Sequence, residues 1–234
     1  MEYEEKIARV ALEIEAIKLS PDDPFTWTSG FRMPIYNNNR RFIFDPKSRF
    51  LIAKGFEAIL DSEKIPHSII AGTSTAGISP ATTLADLLYK NLIYVRDKPK
   101  VHGLKTQIEG INSESDLDGE RVVLIEDLIS TGGSSARAVQ AIRDANGICD
   151  NCFSVFNYGF EVSQKRFVGE IPYGESENRL NHPCNVISLL TYDKLLEVAK
   201  ETGYIDSQQV EMLREWREDP FRWGEKHGFP KVEK

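Results

Sequence analysis

Cysteine is scarce in this 234-residue chain, which has only Cys149, Cys152 and Cys184. Three thiols cannot staple a chain of this length, so no disulfide framework is expected. There is also no apolar run approaching the roughly 18–20 residues that a transmembrane helix needs. The first residues, Met1-Glu2-Tyr3-Glu4-Glu5-Lys6, lack the basic start and apolar block of a secretory leader. The expectation is a cytoplasmic protein with no membrane partner. Positive charge is in deficit as well: 29 Lys+Arg face 36 Asp+Glu, a net charge of −7. A generic nucleic-acid binder would be basic, so no nucleic-acid partner is expected. A small, highly anionic ligand would require cations concentrated at one place. Glycine (16) and proline (11) are too few for a collagen-like or linker-dominated chain.

What is present fits one globular domain over 1–234, with 41% hydrophobic and 28% charged residues. Tyr3, Ile7, Val10, Ile14 and Ile17 recur at helical spacing and predict an amphipathic helix over 2–18. A loop over Ser20–Asn39 and a helix over 47–62 follow. Strands and helices then alternate: strand His67–Ala71, helix Gly77–Tyr89, strand Leu92–Val95, strand Arg121–Ile125, helix Gly132–Ala145, strand Ile148–Phe156, helix Glu161–Val168, strand Val186–Leu190 and helix Tyr192–Lys200. This order predicts an α/β fold with a mostly parallel sheet flanked by helices. Residues 1–45 and 207–234 read as accessory elements, the latter a C-terminal helical extension. Cys149 and Cys152 form a C-x-x-C pair, but they lie in a strand rather than at a helix start. Only Cys184 and His182 lie near enough in sequence to complete a zinc site. The pair is read as two partly buried thiols, and no metal ligand is assigned.

In such sheets the ligand sits at the carboxyl ends of the strands, where three loops emerge. Glu126-Asp127-Leu128-Ile129-Ser130-Thr131-Gly132-Gly133-Ser134 ends a buried strand in two carboxylates and enters a helix through small residues. Backbone N–H groups at a helix start favour an anion, with the hydroxyls of Ser130, Thr131 and Ser134 as further donors. The carboxylates can accept from vicinal hydroxyls, so the pairing suits a sugar phosphate. There is no Gly-Lys-Ser/Thr as in a Walker loop and no G-x-G-x-x-G. An N-capped helix alone would explain one hydroxyl but not the whole set. Arg96–Gly119 is a long loop that places Arg96, Lys98, Lys100 and His102 within seven positions, followed by Lys105. Loops of this length are usually lids or binding loops. Ala71-Gly72-Thr73-Ser74-Thr75-Ala76-Gly77 again leads from a strand into a helix.

The segment Val122–Ser134 resembles the phosphoribosyl-diphosphate signature of type I phosphoribosyltransferases. The cationic loop narrows the resemblance to orotate phosphoribosyltransferases, and Phe25–Gly30 and Pro34–Arg40 resemble that family's N-terminal hood over the base. The resemblance implies the type I fold with a small hood over 1–45, and transfer of phosphoribosyl from phosphoribosyl diphosphate to orotate. It also implies a Mg²⁺ bridged by substrate, and a homodimer whose lid acts on the neighbouring subunit. Carried over by residue, Arg96, Lys98, Lys100, His102, Thr73, Ser74, Thr75 and Glu126, Asp127, Leu128, Ile129, Ser130, Thr131, Gly132, Gly133 and Ser134 bind phosphoribosyl diphosphate. Lys100, His102 and Asp127 are its catalytic residues, and Ser130 touches orotate. Ala76 stands where some members have Lys, Asp97 takes no role, and Asn157-Tyr158-Gly159 lacks the base-contacting Arg of longer members. The competing readings are a purine salvage phosphoribosyltransferase and a non-catalytic sensor of phosphoribosyl diphosphate.

Overall fold

The computed structural model describes residues 2–97, 107–111, 117–174 and 177–233. Helix α1 (Glu2–Glu13) is followed by short strands β1 (Ile17–Leu19), β2 (Phe25–Thr26), β3 (Arg32–Met33) and β4 (Ile35–Asn37), then a 3-10 turn over Asn39–Ile43. The main body comprises α2 (Pro46–Ser62), β5 (Ile69–Thr73), α3 (Ile78–Leu88), β6 (Asn91–Val95), β7 (Ile108–Glu109), β8 (Arg121–Ile129), α4 (Gly133–Asp144), β9 (Ile148–Asn157), α5 (Glu161–Phe167), β10 (Asn185–Thr191) and α6 (Tyr192–Glu201). Two helices follow, α7 (Ser207–Glu218) and α8 (Pro220–Lys226).

The central sheet runs β10-β9-β8-β5-β6-β7. All neighbours are parallel except β7, which lies antiparallel to β6. Alternation along β8 explains its central place: Val123 and Ile125 face one core while Val122 and Leu124 face the other. The first core packs α1, α2, α3 and α6 against the sheet through residues such as Ile7, Phe56, Leu84 and Leu195. The second packs α4 on the opposite face through Val139 and Ile142. From β5 the chain proceeds outward to β6 on one side, and later from β8 to β10 on the other. The strand order therefore reverses between β5 and β8, and a crevice opens at their carboxyl ends.

The mostly parallel α/β sheet agrees with the sequence expectation, but several boundaries differ. The first helix stops at Glu13 rather than residue 18. Glu15 takes a left-handed φ of 55°, and Ile17 pairs with Asn37 in a two-stranded ribbon. Ile14 and Ile17 keep helical spacing, yet a strand buries Ile17 equally well. The expected loop over Ser20–Asn39 carries β2, β3 and β4. The strand expected to end at Ile125 continues to Ile129, because β9 pairs with it as far as Ile129↔Asn157. Cys149 and Cys152 are fully buried thiols on β9 rather than partly buried ones, and burial raises the Cys152 thiol well above its ordinary value.

Candidate active site

The crevice is built from the strand ends outward. Glu126 is 6% exposed and lies near the end of β8. Both its oxygens are occupied: Thr73 Oγ1 donates to Oε1 at 2.6 Å, the Asp127 amide donates to Oε1 at 3.0 Å, and Ser135 Oγ donates to Oε2 at 2.8 Å. One carboxylate thus ties β5, β8 and α4 together across the strand-order reversal. Burial, and after it the adjacent Asp127 charge, pushes the Glu126 carboxyl up from 4.5 to about 7. The two acids are therefore not equivalent. Glu126 is an internal strut, while the half-buried Asp127 lines the cavity beside it. Ser135, 1% exposed, is a residue that the sequence reading missed.

After β8 the chain passes through Ser130 and Thr131 to Gly132, whose φ of 76° is left-handed, and enters α4. Glycine is needed there for its φ, and also because a Cβ would come 2.8 Å from Ser163 Oγ and 3.0 Å from a Phe167 ring carbon. No side chain caps α4, so the N–H groups of its first turn are left for an anion. The second loop, after β5, passes Ser74 and Thr75 across a cis peptide and reaches α3 through Gly77. A Cβ on Gly77 would sit 2.3 Å from Thr73 Oγ1 and 2.5 Å from the Ile125 carbonyl, so only glycine lets α3 start this close to β8. Thr73 is the last residue of β5, whereas Ser74 and Thr75 are exposed in the loop.

A polar cavity of ≈ 380 Å³ joins these pieces; its lining includes Thr73, Ser74, Thr75, Arg96, Asp127 and Ser134. The 3-10 turn forms part of its wall: buried Asn39 donates through Nδ2 to the Asp127 carbonyl at 2.6 Å. Arg96 pairs with Glu109 at 3.4 Å, and its buried Nε has no hydrogen-bond partner among the described residues. Asp97 pairs with Arg137 of α4 at 2.7 Å, which anchors the foot of the long loop. Lys98, Lys100 and His102, assigned from sequence, lie outside the described residues.

On the other side of Ser130 lies a second cavity, of ≈ 670 Å³, whose lining includes Ser130, Thr131, Asn157, Trp27, Tyr158 and Trp216. Its walls come from distant parts of the chain. Trp216 Nε1 donates to Met33 Sδ at 3.1 Å, and its ring stands edge-on to Trp27 and Tyr158. Trp27 Nε1 in turn donates to the Ile35 carbonyl at 3.0 Å, so Trp27 is hydrogen-bonded as well as packed. Phe31 packs against Phe221, and the Val232 amide donates to the Gly30 carbonyl at 2.9 Å. The C-terminal helices thus form one roof with the hood, a contribution the sequence reading had placed among accessory elements. His227 stacks on Trp223 at 4.8 Å between ring centroids and contacts Glu215 at 2.9 Å. Among the described residues no cluster of three or more His, Cys, Asp or Glu could cage a metal ion.

The chain resembles known proteins along nearly its whole length. Residues 43–152 match the family model for the phosphoribosyl transferase domain. An orotate phosphoribosyltransferase from Listeria monocytogenes is 39% identical over 96% of this chain and 100% of its own length. Among solved structures, orotate phosphoribosyltransferase from Aeropyrum pernix superposes with a TM-score of 0.64 at 24% identity, over 85% of this chain and 99% of that one. Adenine phosphoribosyltransferase from Leishmania donovani also superposes, with a TM-score of 0.56 at 15% identity over 80% of each chain. The backbone alone therefore does not choose between bases. Full-length sequence likeness does, and with an acid pair and an open helix start at the point of strand reversal it makes the chain a member of the orotate phosphoribosyltransferase family.

Proposed function

We infer that the protein transfers the phosphoribosyl group from phosphoribosyl diphosphate to N1 of orotate, releasing orotidine 5′-monophosphate and pyrophosphate in pyrimidine biosynthesis. The observation that carries the site assignment is the loop Ser130–Ser134, which separates a polar cavity from an aromatic one. A sugar phosphate with a planar base needs both environments side by side. In this reading the 5′-phosphate lies on the first turn of α4, cradled by Ser130, Thr131, Gly132, Gly133 and Ser134. Asp127, supported by the buried Glu126, accepts from the ribose hydroxyls, and Leu128 and Ile129 carry the backbone between acid pair and cradle. Thr73, Ser74, Thr75 and Arg96 receive the pyrophosphate. Orotate enters the aromatic cavity with Ser130 at its edge.

Bond breaking at C1′ builds positive charge on the ribose and negative charge on the departing pyrophosphate. Asp127 faces the first. Arg96, with Lys98, Lys100 and His102 from the loop, offsets the second, and those cations act most strongly once water is excluded. The carboxylate of Asp127, which lines the cavity, suits Mg²⁺ better than a softer ion, and with no cluster of metal-ligating side chains among the described residues the substrate would supply most of its ligands. When bound, the ion adds charge neutralisation at the pyrophosphate. We place the loop cations on the neighbouring subunit of a homodimer. No helix among the described residues is long and apolar enough to cross a membrane.

The direct test is spectrophotometric: orotate loss in the presence of phosphoribosyl diphosphate and Mg²⁺, run beside hypoxanthine, adenine and uracil. Turnover of orotate alone is expected. Turnover of a purine, or binding of phosphoribosyl diphosphate with no turnover on any base, would overturn the assignment.

A further inference from the structure

The cradle Ser130–Ser134 has a cation behind it that the site's own sequence run does not contain. Arg166 lies on α5, the helix against the outer side of the loop. Its Nη1 donates to the Thr131 carbonyl at 2.5 Å and its Nε to the Pro172 carbonyl at 3.0 Å. Ser163 and Phe167, one turn apart on the same helix, close on Gly132 so tightly that no Cβ fits there. The Thr131–Gly132 peptide is planar and trans, so its C=O and N–H point in opposite directions. With the carbonyl turned out to Arg166, the Gly132 N–H is turned away from α5, toward the side where the helix start is open. A guanidinium fork is well suited to this: it grips two carbonyls in one fixed geometry and carries a charge that cannot be titrated away. Arg137 acts as a second brace beyond the cradle, donating to the Tyr173 carbonyl at 3.1 Å while paired with Asp97.

We propose that Arg166 is a positioning residue for the 5′-phosphate subsite: it aims the Gly132 amide into the cradle and places a fixed positive charge behind it. Its effect is confined to ligands that carry the ribose phosphate. The inference rests on the placement of the 5′-phosphate at Ser130–Ser134 given above.

The test compares two probes, ribose 5-phosphate and pyrophosphate with Mg²⁺, by calorimetry on the full chain. Arg166→Ala is expected to weaken ribose 5-phosphate roughly tenfold, the scale of one lost charge-assisted hydrogen bond. KM for phosphoribosyl diphosphate should rise in proportion, and pyrophosphate affinity and the KM for orotate should stay within about twofold. Arg166→Lys keeps the charge but cannot span both carbonyls, so it should show the same selectivity at about a third of the effect. It also serves as the working variant should the alanine not fold. Loss of both probes together, or of neither, overturns the role of Arg166. Ser134→Asp separates this failure from that of the cradle, because a carboxylate there should repel ribose 5-phosphate. If Ser134→Asp weakens that probe and the Arg166 variants do not, only the Arg166 proposal falls. If none of the variants weakens it, the placement of the phosphate falls.

Discussion

Glu126 joins three elements through one side chain, and its environment sets a dependence on pH. Its folded-state carboxyl is raised to about 7 from 4.5, first by burial and then by Asp127. The native state therefore holds this proton more tightly than the unfolded chain does. The resulting stabilisation is intact below about pH 4.5 and is lost as pH rises toward 7. Glu126→Gln keeps the shape without the titration, so it should remove this slope. Urea midpoints for the two proteins should diverge between pH 5 and pH 7.5, with the wild type losing ground to the variant by on the order of 1–3 kcal/mol. A pH-independent difference would show that Glu126 does not titrate as described. The sequence displays the two adjacent acids plainly. It does not display their inequivalence, which depends on Thr73 and Ser135 meeting Glu126 only after β5, β8 and α4 have assembled.

Among the elements, those of the main body were legible from sequence, since each helix shows one apolar face and each central strand, buried on both faces, reads as a short apolar run. The hood and the C-terminal helices were less so. Ile17 belongs to a strand despite its helical spacing, and α7 looks from its own residues like an ordinary surface helix with a capping box at Asp206 and Gln209. Its importance comes from Trp216, fully buried among Trp27, Tyr158, Phe160 and Tyr192. The contact of Trp216 with Met33 spans 183 positions, beyond the reach of any local pattern. Trp216→Ala should cost roughly 3–5 kcal/mol of stability, the range for emptying a large aromatic site. In thermal melts Tm should fall. In assays below the new midpoint, KM for orotate should rise well above the rise for phosphoribosyl diphosphate. An equal rise in both would mean that the aromatic cavity is not the base side.

At the scale of the molecule, the net charge of −7 did not prevent the chain from belonging to a family that handles a pyrophosphate. The cations are local: Arg96 at the crevice, Arg166 behind the cradle, and Lys98 and Lys100 in the loop. If the loop serves the neighbouring subunit, two inactive variants should complement each other. Lys100→Ala is expected to lose at least ~10²-fold in kcat, and Asp127→Asn should be similarly impaired. Mixing them under exchange leaves one intact site in half of the dimers, so activity should return to about a quarter of the wild-type value. No recovery despite verified subunit exchange would place each loop over its own subunit's site.

The roof over the aromatic cavity also has a consequence for how the protein is made. Thr73, the acid pair, the cradle and Arg166 have all been synthesised by the time the ribosome reaches β10, and the sheet that holds them can form behind it. The residues that close the other half come later in the chain: Trp216, then Phe221, then Val232 against Gly30. On the proposed assignment, a nascent chain that has reached β10 but not α7 holds the parts of a sugar-phosphate site but no covered place for a base. In that reading, the enclosure on which selection among flat rings depends is completed only after α7 and α8 have been made.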